Sequence, residues 1–325
     1  MYLYKMKYPI KEAVGIYSSE DSSSLVHIAL MPGKVEILDH VEGKIVNASN
    51  LVRPRYERGN RIIGKNNMDV VLAISNQPVF HRNIKLPSVS DSNIKKMVCY
   101  EAQQNIPFPL EEVFWDYHID KSDTEFNLSL FVAKKEGINN QVEALVKKGI
   151  TPTSVTPSSE ALFAIVNKGT IIYPEERSHS IIITNGNSYF LRTLPIPTDN
   201  NQRLMAEIGR TFNFYRTQVE KSSKEDFSPL FHKGLNPELV QMLKDRENIA
   251  DIREISFNNF DGKSIADYIA LGAAIAGAYG TQVNLWKQDK QQYCDFSIPA
   301  KKALGFLRKT LDSASREIRI LEERL

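Results

Sequence analysis

The sequence predicts an α/β protein built as two halves, with an α+β subdomain inserted in the first half and a separate helix at the C-terminus. Three observations carry this expectation. Short β-branched runs punctuated by Gly, Pro, Ser or Asn open the chain and return after its midpoint, as repeated sheets would. Between them a helix, a break, a hairpin and a second helix follow in close order. Beyond Ala300, apolar residues recur in alternating steps of four and three. The expected units are 1–84 for the first half, 85–150 for the insertion, 151–290 for the second half and 297–325 for the terminal helix.

The runs "AVGIY", "SLVHIAL", "KVEILDHV" and "DVVLAIS" predict a sheet of three or four strands. In "LPSVSDSNIKKMVCYEAQQNI", Ser90 or Asp91 is the expected N-cap, and Ile94, Met97, Val98, Ala102 and Ile106 form an apolar face at helical spacing. Pro107 and Pro109 disfavour helical backbone at the residues before them, so the helix must stop and "NIPFP" must run extended. Two strands, "EEVFWDYHID" and "EFNLSLFVAKK", are joined by the polar "KSDT", and "GINNQVEALVKKGI" is a helix closing at Gly149.

The second cycle begins near Pro152. A helix "SSEALFAIVNKG" is expected to stop at Gly169, and Asn185-Gly186 to supply the tight turn of the hairpin "SIIITNGNSYFLRTLPI". A helix from about Asn200 to Gln218, the segment "SPLFHKGLNPELVQMLKD", a strand "IREISF" and the small-residue helix "SIADYIALGAAIAGAYG" complete it. In the tail, Leu304, Leu307, Leu311, Ile318 and Leu321 mark a heptad seam suited to a homo-oligomer or a partner helix. The basic stretch "AKKALGFLRKTL" also admits a membrane-surface helix, but the acidic residues after it favour a protein partner.

Composition narrows the function. The chain has 325 residues, 42% hydrophobic and 25% charged, with a formal net charge of +2. Scattered Lys and Arg exclude a nucleic-acid footprint. The two cysteines, Cys99 and Cys294, stand outside any CxxC or zinc-like spacing, so reduced thiols and a cytoplasmic compartment are expected. The opening residues carry no secretory signal, and Tyr268–Gly280 falls short of the roughly 20 apolar residues that cross a bilayer. The six histidines form no HxH or HExxH pair, and no P-loop or GxSxG elbow is present, so no metal ligand and no catalytic residue is assigned. Asp116 with Asp120, and Glu111 with Glu112, read as exposed strand-edge carboxylates.

Four stretches resemble the PilM family of type IV pilus assembly and, more distantly, the cytoplasmic domain of the type II secretion protein GspL. These are "LPSVSDSNIKKMVCYEAQQNIPFPLEEVFWDYHI", "FVAKKEGINNQVEALVKKGITPTSV", "LRTLPI" with "EIGRTFNFYRTQ", and "YIALGAAIAGA" with "VNLWK". The resemblance implies an actin-like fold and a PilN-like single-pass membrane partner. Its tail would be received beside the inserted subdomain, at Tyr100, Gln104, Ile106, Pro107, Phe108 and Pro109. It also implies a cytoplasmic protein held at the inner membrane only indirectly, through partners.

Members of this fold hold ATP and Mg²⁺ in two glycine-containing hairpin loops, each with an Asp. Here Tyr17 stands at the first Asp position, followed by Ser18, Ser19 and Ser22, and Thr184 stands at the second, followed by Asn185-Gly186. The adenosine run keeps only Gly234, with Lys233 crowding it. Ser18, Ser19, Ser22, Asn185, Gly186 and Gly234 are therefore the candidate remnants of an ATP site. No cofactor is expected, and a non-catalytic adaptor is the preferred reading. An ATP-binding ATPase of the PilM or FtsA type with diverged phosphate loops is the alternative.

Overall fold

The computed structural model describes residues within 11–286, apart from 20–21, 32, 44–51, 53–56, 59–60, 63–67, 89–90, 122–124, 167, 187–188, 198–199, 220–226, 258–259 and 281–282. The chain opens with an antiparallel meander of β1 (Lys11–Ser18), β2 (Ser23–Met31) and β3 (Lys34–Glu42), followed by a two-residue pair, β4 (Glu57–Arg58) and β5 (Arg61–Ile62). Strand β6 (Asp69–Ile74) then lies parallel to β1. An insertion follows: β7 (Val79–Pro87), α1 (Asp91–Asn105), a 3₁₀ turn at Leu110–Glu112, β8 (Val113–Lys121), β9 (Glu125–Lys134) and α2 (Lys135–Val146). Next come β10 (Ser154–Pro157), parallel to β6, and the short helix α3 (Ser158–Phe163).

A second meander, β11 (Gly169–Glu175), β12 (Ser178–Thr184) and β13 (Tyr189–Leu194), leads into α4 (Asn201–Phe214), which continues as a π turn over Tyr215–Val219. Strand β14 (Leu230–His232), α5 (Pro237–Glu247), β15 (Ile252–Glu254) and α6 (Ile265–Tyr279) end the described elements. The two five-stranded sheets run β10-β6-β1-β2-β3 and β13-β12-β11-β14-β15. In each, a three-strand meander is extended by two parallel strands on the side of its first strand. The expected two-half α/β architecture is therefore a duplication of one strand order.

Several boundaries differ from the expectation. The first sheet takes its outer strand β10 from beyond residue 151, and α6 also packs on the first sheet, so both sequence ends of the 151–290 segment serve the first half. Gly169 does not stop a helix, since α3 ends at Phe163. It begins β11 with φ +116°, where a side chain would strike the Pro229 carbonyl. Strand β7 was not anticipated; its polar "HRN" hides a strand whose pairing with β9 decides its conformation. Cys99 of α1 is disulfide-bonded, which corrects the expected reduced thiol. The coiled-coil residues Leu304, Leu307, Leu311, Ile318 and Leu321 lie outside the described residues.

The insertion folds as expected from its apolar face. Ile94, Val98 and Ala102 of α1 bury against Leu128, Leu130 and Val132 of β9, with Trp115 in the same cluster. The alternate residues Phe131 and Ala133 point the other way and join the core of the first sheet. On the second sheet, Leu204, Ile208 and Phe212 of α4 and Leu239 and Leu243 of α5 cover Ile172, Ile181 and Ile183.

Helix α6 explains its own composition. A Cβ on Gly15 of β1 would lie 1.9 Å from the Ala270 carbonyl, and one on Gly272 would lie 2.0 Å from the Ala161 carbonyl of α3. The helix thus touches strand and helix backbone directly, which only glycine and alanine allow. Its ends are tied too. Ser264 and Asp267 form a capping box, and the segment after α6 bonds the outer edge of β10 through Leu285 N–H to Val155 O at 2.7 Å.

His81 of β7 joins the insertion to the second sheet, with its ring centroid 4.6 Å from Phe131 and 6.1 Å from Tyr189. Its Nε2 is sealed from solvent without a partner, and burial pulls its pKa down to about 4.

Two expectations follow for stability. Gly15→Ala and Gly272→Ala each lower the unfolding free energy in urea by about 3 kcal/mol or more. Gly137→Ala, in α2 where an added Cβ meets nothing, raises it by about 0.5–1 kcal/mol. For His81 the unfolded imidazole accepts a proton below pH 6.5 that the native one refuses until about pH 4. Native stability is therefore complete above pH 6.5 and falls by about 2–3 kcal/mol between those values. His81→Leu removes that part of the pH slope in denaturation curves.

Candidate functional site

The shared strand order places two hairpin turns opposite one another, the β1–β2 turn of the first sheet and the β11–β12 turn of the second. Their proximity shows in Tyr17 at the end of β1, whose hydroxyl is pushed up by burial and then by the charges of Glu175 and Glu176. The first turn closes on itself. Ser19 N–H donates to Ser22 O at 2.8 Å, Ser19 Oγ donates to the same oxygen at 3.0 Å, and Ser22 N–H donates back to Ser19 Oγ at 3.1 Å. The hydroxyls of Ser18 and Ser23 lie 3.3 Å apart. The structure thus brings Ser18, Ser19 and Ser22 together, with their donors engaged inside the turn.

The turn that corresponds to it in the second sheet is Glu175–Ser178, not Asn185-Gly186. Gly169 pairs with Thr184 at one end of the β11–β12 ladder and Glu175 with Ser178 at the other. Asn185 and Gly186 therefore sit at the far end of the sheet from Glu175. Gly186, at φ +108°, turns the chain into β13, and its N–H donates to Thr184 Oγ1. Thr184, which the family resemblance sets at the second Asp position, is a strand residue at that far end. This corrects the placement of the second loop, and its cause is that Asn-Gly is a turn signal blind to which sheet end faces a neighbour.

Gly234 does lie near the second turn. It follows β14 with φ +82°, and a Cβ there would come 3.4 Å from Pro174. Asn236 caps α5 by accepting from Glu238 N–H at 2.9 Å. Lys233 turns away from the glycine, donating to Glu254 at 2.8 Å with its ammonium 5.8 Å from the Tyr268 ring centre.

Between the two turns runs a polar network that sequence reading missed. Asn76 follows β6, Ser158 and Ser159 open α3, and Tyr173, Glu175 and Ser180 come from β11 and β12; all are buried. Glu175 accepts from Asn76 N–H at 3.0 Å, from Ser158 Oγ at 2.6 Å and from Ser180 Oγ at 2.8 Å. Asn76 Nδ2 donates to Tyr173 Oη at 2.7 Å, and Ser159 Oγ donates to Asn76 Oδ1 at 3.0 Å. Tyr189 Oη donates to Glu160 at 2.8 Å. Burial raises the Glu175 pKa, and hydrogen bonds from Ser158, the Asn76 N–H, Ser180 and Ser75 work against that shift. The available signal was the alternation of Ser, Tyr and Glu with Ile in "GTIIYPE" and "SHSIIIT", polar residues on a face that the fold turns inward.

A second group escaped notice because its members are far apart in the chain. His40 and Glu42 of β3 and Asp267 of α6 hold ligand-type atoms within 4.8 Å of one another. Asp267 accepts from the Ser264 N–H at 2.8 Å and lies 2.9 Å from His40 Nε2, while Glu42 takes Lys263. These contacts clamp the first turn of α6 onto β3.

The insertion carries the other candidate surface. The helix stop is where the prolines require it: α1 ends at Asn105, and Ile106 is buried. Gln104, Pro107 and Pro109 are exposed, and Tyr100 and Phe108 are half-buried. Phe108 meets Phe80 edge-on at 6.5 Å and lies under the Lys134 ammonium at 5.6 Å. Beside it, Asp116 is not an exposed strand-edge carboxylate. It is buried, accepting from Asn284 N–H and Tyr117 N–H at 2.8 Å each, and so ties the insertion to the segment after α6.

No curated protein matches the sequence. Among solved structures, the fold matches a PilM-PilN type IV pilus biogenesis complex with a TM-score of 0.60 at 16% identity, covering 82% of this chain and 98% of that one. The cytoplasmic domain of EpsL, an inner-membrane component of the type II secretion system of Vibrio cholerae, matches at a TM-score of 0.44 and 12% identity over 78% of this chain and all of that one. A Bacteroides thetaiotaomicron protein with an actin-like ATPase fold matches at 0.40 and 10% identity, over 78% and 94%. The family model for the type IV pilus assembly protein PilM matches residues 22–185. That span begins in the β1–β2 turn, takes in the whole insertion and crosses into the second sheet, half of the 325 residues. The chain belongs to the type IV pilus assembly protein PilM family and has its actin-like, two-half fold.

Proposed function

We propose that the protein is a non-catalytic adaptor at the cytoplasmic face of an inner-membrane pilus or secretion platform, holding the N-terminal tail of a PilN-like single-pass membrane protein. The observation that carries this reading is the ledge at Pro107–Phe108–Pro109. Helix α1 delivers it to the surface, and the prolines keep it out of helix and strand. Backbone of this kind, flanked by Tyr100 and Gln104 one helical turn apart, suits an extended peptide that supplies its own hydrogen bonds. Ile106 anchors the ledge from beneath. The solved PilM-PilN complex that shares the fold supports a partner of this class.

Attachment to the membrane through that partner accords with the described helices, none of which is long and apolar enough to cross a bilayer. Self-association through the Leu304–Leu321 seam belongs to the same proposal. The junction between the halves favours a scaffold over an ATPase. The donors of Ser19 and Ser22 are spent within their turn, and at the facing turn the Glu175 carboxyl already occupies the Asn76, Ser158 and Ser180 donors that a phosphate would need.

Fluorescence anisotropy with a labelled PilN-like N-terminal peptide tests the ledge. Pro107→Ala with Pro109→Ala weakens binding at least about tenfold, about 1.4 kcal/mol, with an unchanged melting temperature; equal affinity for both proteins sinks the proposal. Isothermal titration with Mg-ATP is expected to give no saturable heat, and a micromolar dissociation constant restores the ATPase reading.

A further inference from the structure

We infer that Glu175 is a built-in ligand: its carboxylate fills an oxyanion pocket formed where the two sheets meet and holds the halves together without a small molecule. The inference stands apart from the identity of the partner.

The pocket is made by elements distant in sequence. The Asn76 N–H and the Ser158 hydroxyl lie just beyond the ends of β6 and β10 in the first half, and the Ser180 hydroxyl comes from β12 in the second. These three donors are neutral and converge on one carboxylate, two at Oε1 and one at Oε2, and the Ser75 hydroxyl bonds it as well. Oriented peptide and hydroxyl dipoles of this kind hold oxyanions in water-excluded sites. The 2.6 Å contact from Ser158 Oγ to Glu175 Oε1 has the length of a charge-assisted bond.

The pocket is also braced from behind. Asn76 donates through Nδ2 to Tyr173 Oη and Ser180 Oγ while its Oδ1 accepts from the Ser159 N–H and hydroxyl, so the backbone that presents the Asn76 N–H is itself fixed. Glu175 is the last residue of β11, at the turn that faces the β1–β2 hairpin across the junction. A carboxylate in that place does from within the chain what a bound anion does in a cleft that opens. It satisfies donors of both halves at once, and leaving them unpaired in a buried site carries a penalty.

Chemical rescue tests this. In the full-length protein, Glu175→Ala empties the pocket and lowers the melting temperature by about 6–12 °C. Sodium formate or acetate, compared with chloride at equal ionic strength, then raises it saturably by about 3 °C or more. Wild type shows no shift beyond chloride, because its pocket is occupied. Glu175→Gln keeps the volume but offers one acceptor oxygen, so it loses stability and is not rescued. Hydrogen exchange adds a local readout: the Asn76 amide loses protection in Glu175→Ala and regains it with formate. If Glu175→Ala folds only when formate is present and unfolds on its removal, the inference is equally supported. An equal formate response in wild type and variant, no response in the variant, or failure to fold at any formate concentration overturns it.

Discussion

Helix α6 lies so close to β1 and α3 that a single methyl group at Gly15 or Gly272 would overlap a carbonyl oxygen. Most of the first half depends on that close approach. With the helix pressed onto the middle of the sheet, its first turn reaches β3, where Asp267 meets His40, and the chain leaving it runs along the outer edge of β10. One element thus spans the sheet from edge to edge. The insertion is fastened to the same strap, because Asp116 of β8 accepts the Asn284 N–H just beyond the helix. Asn284 in turn accepts from the Val155 N–H of β10, so three separate parts of the chain meet at one side chain and its peptide.

The second sheet repeats the strand order of the first but is joined to it differently. The contact runs through Asn76 and Ser158, just beyond β6 and β10, and Ser180 of β12, each hydrogen-bonded to Glu175 at the end of β11. Satisfied buried networks fix a unique geometry, and they do so at the cost of motion. A buried junction of this kind suits a protein whose two halves hold one arrangement. The proline ledge on the insertion then inherits a rigid mounting, through β9 packed on both faces and through His81 against Tyr189.

Parts of the candidate sites were legible because their chemistry is local. Pro107 and Pro109 end α1 through the backbone of their immediate neighbours, and Gly234 takes a positive φ in the turn between β14 and α5. The second hairpin was misplaced because Asn185-Gly186 and Glu175–Ser178 both turn the chain, and only the strand order tells which turn faces the first sheet. Asp116 looked like an exposed strand-edge acid, since its alternation with apolar neighbours cannot reveal a peptide N–H arriving from Asn284. Glu175 was overlooked for a related reason: an acid at a hairpin end is ordinarily solvated.

The amino-acid sequence by itself determined the elements: the β-branched runs of both meanders, the helix stop at the prolines, the hairpin of the insertion and a buried helix made of small residues. Each follows from dihedral preferences and from periodicities of two or 3.6 residues, which act over a few positions. Tertiary structure alone decided that the two sheets repeat one strand order, that β10 and α6 return to the first half, and that Glu175 rather than a loop glycine stands at their junction. Those outcomes depend on which distant backbone groups arrive at the same point, and no local pattern encodes the partner of a buried hydrogen bond.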